Sequence, residues 1–281
     1  IALATFNNAL THSDLPPSGL ESCVVLIPKK GPPELLQNWR PISLINTDAK
    51  AFTRILSGRM IDQASSLINP FQTGFVRGRF IADNGLLMKL IMEHARATSS
   101  SSIGLLLDQE KAYDRVHHPV YLRAVLLRFG FPEALVGYIS HLFFDNHLVV
   151  NVNGFLSPRV PQLRGFKQGD PISPILFNSA FEPLLRKILQ DPQLPNFWLP
   201  SPPSLNAPSA VKMMAYADDI VYLLTSPSDL DQLHSHLQVY SAASNNALVN
   251  FHKTEAISLS GSATNYDSIW RNSLLQHRIT S

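Results

Sequence analysis

Residues 212–224, KMMAYADDIVYLL, set two adjacent carboxylates, Asp218 and Asp219, between apolar segments that read as buried strands. A carboxylate left unpaired in a low-dielectric interior is costly, so the pair requires a solvent gap, a basic partner or a metal ion. In the middle of a regular strand, successive side chains point to opposite faces and the two acids would not reach one ion. At the bend of a hairpin whose arms are VKMMAY and IVYLL, both project from the same edge of a sheet.

A hard cation such as Mg²⁺ is usually held by one or two carboxylates together with substrate phosphates and water. A two-metal phosphoryl-transfer site draws its carboxylates from separate segments. LLLDQEKAYDRV supplies a third acid, Asp108, at the end of the apolar run SSIGLLLD, which has strand length. RGFKQGDPISPILF places Gly165, Gly169 and the pair Gln168-Gly169 just ahead of a helix, a loop whose backbone can approach a flat or anionic ligand closely.

Around these motifs the periodicity predicts mixed elements. SPILFNSAFEPLLRKIL carries Phe177, Phe181, Leu184 and Ile188 at three- and four-residue steps, the mark of an amphipathic helix. SDLDQLHSHLQVYSAAS reads as a helix after the hairpin, and ALVNF and EAISLS as strands. The order of strand, helices, hairpin, helix and strand predicts an α+β domain with helices packed on an antiparallel sheet. Residues 190–210 hold six prolines and read as a surface connector without regular helix or central strand.

The chain has 281 residues, 45% hydrophobic and 16% charged, a globular profile rather than a disordered one. A formal net charge of +2 is too mild to argue nucleic-acid binding, so the positions of basic residues must carry any such claim. The single cysteine, Cys23, excludes an internal disulfide and a Cys-based zinc knuckle within these residues, and reads as a small buried side chain. No apolar run is long enough to span a bilayer, so no membrane partner is expected. The chain opens without methionine and reads as a soluble piece of something longer.

Taken in order, LLLDQEKAYDRV, RGFKQGDPISPILF and AYADDI resemble the three central palm motifs of reverse transcriptases. VVLIPKK, NWRPISLINTDAKAFTRILSGRM and FQTGFVRGRFIADN resemble the fingers segments of the non-LTR (LINE-type) retrotransposon branch, and the likeness runs over residues 22–259. NWRPISLIN leans away from an intron maturase. The resemblance implies a polymerase palm of ferredoxin-like type plus fingers. The fingers-rich part is expected at about 1–100 and the palm mainly at 101–281, with the thumb largely absent. Also implied are an RNA template, a DNA primer and deoxynucleoside triphosphates (dNTPs), nuclear access, and a parent polyprotein that carries an endonuclease and a thumb outside this chain. The rival is a catalytically silent RNA-binding relic of the same fold, which the presence of all three acids weakens.

The same resemblance assigns roles. Asp108 and Asp218 are expected to ligate two Mg²⁺ ions, with Mn²⁺ able to substitute and Asp219 more peripheral. Lys253 is the candidate general acid for the departing pyrophosphate. Lys29, Lys30 and Arg40 are expected on the triphosphate, Tyr113 against the sugar as a barrier to a ribose 2′-hydroxyl, and Gln168 and Gly169 over the incoming nucleotide. Arg77 and Arg79, alternating with Phe75 and Phe80, are expected along the template and primer. Asp114 reads as structural, paired with Arg115 or another base, and His234 and His236 face different ways and make no zinc site.

Overall fold

The structure is a computed structural model that describes residues 2–12, 16–116, 118–144, 146–200, 210–244 and 247–279. Compactness does not follow chain order. One unit comprises Ile1–Gln63 and Tyr113–Ala180, the other Ala64–Ala112 and Phe181–Ser281. The three boundaries fall inside helices, Thr47–Leu67, Ala112–Arg115 and Ser173–Gln190.

In the first unit, Glu21–Pro28 pairs antiparallel with Trp39–Ile45 and parallel with His147–Val152, which also pairs with Phe155–Leu156 and Val160–Pro161. Period-two alternation buries Ser22 and Val24 on the first of these strands. Cys23, between them, therefore faces the other way and is half-buried, not fully buried as expected. Phe52 anchors the core of this unit, stacked on Phe6 at 4.5 Å and edge-on to Tyr138 at 5.2 Å.

The second unit is built on a four-stranded antiparallel sheet in the order Glu255–Ser258, Ile103–Leu107, Asp219–Leu224, Met213–Tyr216. Its two middle strands are nearly continuous apolar runs, and Ile103, Leu105, Tyr222 and Leu223 are all buried. The helix Pro227–Ser244 follows, started by a proline in its first turn and by Asp229, whose carboxylate accepts from the Ser226 and Thr225 backbone N–H groups at 2.9 and 2.7 Å.

Phe177, Phe181, Leu184 and Ile188 are all buried, as the periodicity of Ser173–Gln190 requires. Two expectations change. ALVNF is not a strand: Val249 makes one isolated bridge to Gln109, and the Asn250 carbonyl accepts from Lys253 N and Thr254 N at 3.1 and 3.0 Å, closing a turn. The proline-rich stretch is more than a spacer, because Phe197–Trp198 pairs with Ala210–Val211 and Phe197 joins Ile91, Val211, Met214 and Leu259 in the core; its residues 201–209 lie outside the described residues. Among the described residues, no helix is long and apolar enough to cross a membrane.

Candidate active site

The hairpin Met213–Tyr216 and Asp219–Leu224 closes with Tyr216 opposite Asp219, leaving Ala217 and Asp218 as its two turn residues. A two-residue turn ends both arms at once, so Asp218 sits half-buried in the turn and Asp219, exposed, opens the returning strand at the same sheet edge. Ile220 pairs with Leu107 on the central strand, and the next step of that antiparallel register sets Asp108 beside Asp219.

Burial, opposed by a hydrogen bond from its own backbone and aided by the charges of Asp219 and Asp108, pushes the Asp218 carboxyl above the ordinary aspartate range. Burial and the charge of Asp108 do the same to Asp219. The charge of Asp108 thus raises both hairpin acids, and none of the three enters an ion pair among the described residues.

A cleft of about 540 Å³ lies beside this edge, lined by Asp108, Asp219, Tyr216, Asn84 and Lys253 among others. Lys253 reaches it because the 247–254 turn docks on the segment after the central strand: Asn250 N donates to the Asp108 carbonyl at 2.9 Å and Glu110 N to the Leu248 carbonyl at 2.9 Å.

Among the described residues, no three His, Cys, Asp or Glu side chains are already gathered into a metal cage. The donor set nevertheless fits a hard divalent cation. Mg²⁺ takes one or two carboxylates and completes its octahedron with water and substrate phosphate, so a protein cage is not required, and mutually repelling acids want a cation.

Lys29, Lys30, Arg40, Tyr113, Gln168 and Gly169 fall in the first unit, Arg77 and Arg79 in the second. Lys29, Lys30 and Arg40 are exposed at one end of the hairpin Glu21–Pro28 and Trp39–Ile45, where Lys29 N donates to the Asn38 carbonyl at 2.6 Å and Arg40 pairs with Ile27. The Gln168-Gly169 loop docks on the same Trp39–Ile45 strand: Ser43 N donates to the Gln168 carbonyl at 2.7 Å. A Cβ at Gly169, where φ is +115°, would lie 2.9 Å from the Ser43 carbonyl oxygen, so this docking needs glycine.

Asp114 accepts from Gln168 Nε2 at 3.1 Å and so orients the glutamine. Tyr113 stacks on Phe177 at 4.6 Å and meets Phe166 edge-on at 6.4 Å, a rigidly held ring. Lys167, in the middle of RGFKQGD, turns inward. Its ammonium sits over the Phe143 ring at 5.8 Å, and burial, opposed by the charge of Asp170, lowers its pKa to about 8.

Two features escaped the sequence reading. Arg79, expected along nucleic acid, donates through its guanidinium to the backbone carbonyls of Asn69, Gln72 (2.7 Å), Ile68 (2.9 Å) and Ser65 (3.3 Å), and so ties the end of Thr47–Leu67 to the segment that follows. Arg77 beside it is exposed. Gln72, singled out by nothing in its local pattern, reaches the turn that carries Asp218. Only its place inside FQTGFVRGRFIADN offered a signal.

Residues 27–273 match the family described as Reverse transcriptase (RNA-dependent DNA polymerase). The Transposon TX1 uncharacterized 149 kDa protein of Xenopus laevis is 35% identical over 264 residues, 90% of this chain and 19% of that protein. The Retrovirus-related Pol polyprotein from type-2 retrotransposable element R2DM of Drosophila melanogaster is 32% identical, over 79% of this chain and 20% of that protein. The chain thus spans about a fifth of the length of these relatives. Among solved structures, telomerase from Candida tropicalis, in complex with a fragment of telomeric RNA, superposes with a TM-score of 0.59 at 12% identity, over 89% of this chain and 44% of the telomerase, a likeness of fold. The α+β architecture, the spacing of the acids and these matches agree: the chain belongs to the reverse transcriptase family, as a domain homologous to those of non-LTR retrotransposons.

Proposed function

We propose that this domain polymerises DNA on an RNA template, adding dNTPs to a primer 3′-hydroxyl. The observation that carries the reading is the meeting of Asp108, Asp218 and Asp219 at one sheet edge, where the charge of Asp108 raises both hairpin acids and, among the described residues, none of the three enters an ion pair. Asp108 and Asp218 would hold two Mg²⁺ ions, with Asp219 peripheral; when bound, the metal supplies activation of the primer hydroxyl and stabilisation of charge on the leaving pyrophosphate.

The side chains have separable tasks. Lys253, which lines the same cleft as Asp108, would give a proton to the departing pyrophosphate. Lys29, Lys30 and Arg40 offer charge to a triphosphate, Arg40 through a forked donor. Gln168 and Gly169 would cover the nucleotide, and Tyr113, fixed by Phe177 and Phe166, would block a ribose 2′-hydroxyl. Arg79 is a poor candidate for a nucleic-acid backbone, since its donors are committed within the protein. An endonuclease and a thumb would belong to the rest of a polyprotein, in keeping with the fraction of its relatives that this chain spans.

The test is primer extension on poly-rA/oligo-dT with and without Mg²⁺. Asp108→Asn or Asp218→Asn should lower extension by about a thousandfold or more while RNA binding stays within about twofold. Tyr113→Val should raise ribonucleotide relative to deoxynucleotide incorporation by about tenfold or more at matched folded fraction. Extension by the Asn variants near the wild-type rate contradicts the metal assignment, and RNA binding by a wild type that never extends a primer marks a silent relic.

A further inference from the structure

Ala217 is the first residue of the turn that presents Asp218 and Asp219, and its φ of +55° is a conformation that residues other than glycine, asparagine and aspartate seldom adopt. It is buried, so its backbone N–H and carbonyl both need partners. One side chain satisfies both. Gln72 Oε1 accepts from Ala217 N at 2.8 Å, and Gln72 Nε2 donates to the Ala217 carbonyl at 3.0 Å. The same Oε1 accepts from Gly74 N at 3.0 Å, so the amide is fixed from its own segment as well, and Gln72 is itself fully buried.

The segment around Gln72 is seated against the hairpin by further bonds. Ala215 N donates to the Phe71 carbonyl at 2.9 Å, and the Ala215 carbonyl accepts from Thr73 N at 2.9 Å and Asn84 Nδ2 at 3.0 Å. A Cβ at Gly74 would lie 2.4 Å from Ala217 N, a distance at which backbone must move. Strain at a residue of this kind persists where the surroundings over-determine it, and here they do.

We propose that Gln72 is a positioning residue of the active site: its amide clasps both backbone polar groups of Ala217, holds the turn in its left-handed conformation and so sets the direction of the two carboxylates that follow. This rests on the polymerase reading, since the direction of those carboxylates matters only if they hold metal. A glutamine that merely fills the core would contribute stability and leave the chemistry of each folded molecule unchanged.

The experiment compares wild type with Gln72→Met, which keeps the shape and loses the bonds, and Gln72→Glu, which keeps the acceptor alone. Hydrogen exchange at the Ala217 amide should accelerate by about tenfold or more in Gln72→Met, the equivalent of one lost hydrogen bond, and less in Gln72→Glu. In primer extension scored per folded molecule, Gln72→Met should lower kcat by about 10- to 100-fold, as small misplacements of reacting groups do. It should also raise the half-activating Mg²⁺ concentration several-fold while the dNTP KM stays within about twofold. Wild-type exchange at Ala217, or a kcat and Mg²⁺ profile that follow the folded fraction alone, overturns the proposal. If Gln72→Met fails to fold, the same two readings on Gln72→Glu decide it: a faster kcat loss than stability loss supports the clasp, and parallel losses reject it. A wild type that extends no primer would refute the polymerase reading; slowed Ala217 exchange that depends on Gln72 would still be seen, so the two failures are distinct.

Discussion

The second unit holds Glu182 in its interior and Asp108, Asp218 and Asp219 at a sheet edge. Glu182 is fully buried, and its carboxylate accepts from Asn69 N at 2.9 Å, Asn69 Nδ2 at 2.8 Å and Arg186 Nε at 2.9 Å. Burial raises its pKa, but every neighbour named with it pulls the other way. At the hairpin edge the neighbours push in the same direction as burial, because Asp108 and Asp219 are themselves acids. The first arrangement is finished by the protein and serves folding. The second is left for something brought from outside, and among hard ligands a divalent cation answers three carboxylates best.

The largest effect that follows from this contrast is on stability. Glu182→Ala should cost about 3 kcal/mol, roughly 6–12 °C in Tm, because it orphans two buried donors of Asn69 and the partly exposed Arg186. Thermal melts of variant and wild type check it; a shift under about 2 °C would mean that Glu182 is no better satisfied than the edge acids.

Asp218→Asn should act in the opposite sense and more weakly. In chelator, the folded state holds the Asp218 proton more tightly than the unfolded chain does, so the stability this group allows is greatest at low pH. It declines as pH rises from the ordinary aspartate range toward the raised folded value. The variant should therefore melt above wild type at neutral pH, and the gap should close as pH falls toward 4. Equal melting temperatures across that range would show that the edge acids are relieved by a neighbour within the protein.

Much of the edge is legible in the sequence alone. The acids at 218 and 219 sit between runs too apolar to be loops, a two-residue turn is the arrangement that lets both emerge together, and the run ending at Asp108 has the length of a single strand. These are local patterns, and periodicity in the sequence reveals local patterns.

What stayed hidden is non-local or depends on direction. Gln72 and Ala217 stand 145 residues apart and the link is one neutral amide, which no spacing rule marks. Arg79 has the composition of a phosphate contact, and only its orientation reveals that it binds four carbonyls instead. The ALVNF segment has strand composition, yet the Asn250 carbonyl turns it back on itself. Phe197 lies among prolines that argue for surface, and its ring is buried all the same, because a two-residue ladder is enough to pin it.

The central claim, that the edge acids await a divalent cation, is tested most directly by melting wild type and Asp218→Asn with and without Mg²⁺. At a hundredfold excess over its dissociation constant, an ion bound by the folded state alone adds about 2.7 kcal/mol. Wild type should therefore rise by several degrees in Mg²⁺, and Asp218→Asn, already the more stable of the two in chelator, should rise little or not at all. A wild type indifferent to Mg²⁺ and to Mn²⁺, together with an Asp218→Asn variant that melts below it in chelator, would contradict the account.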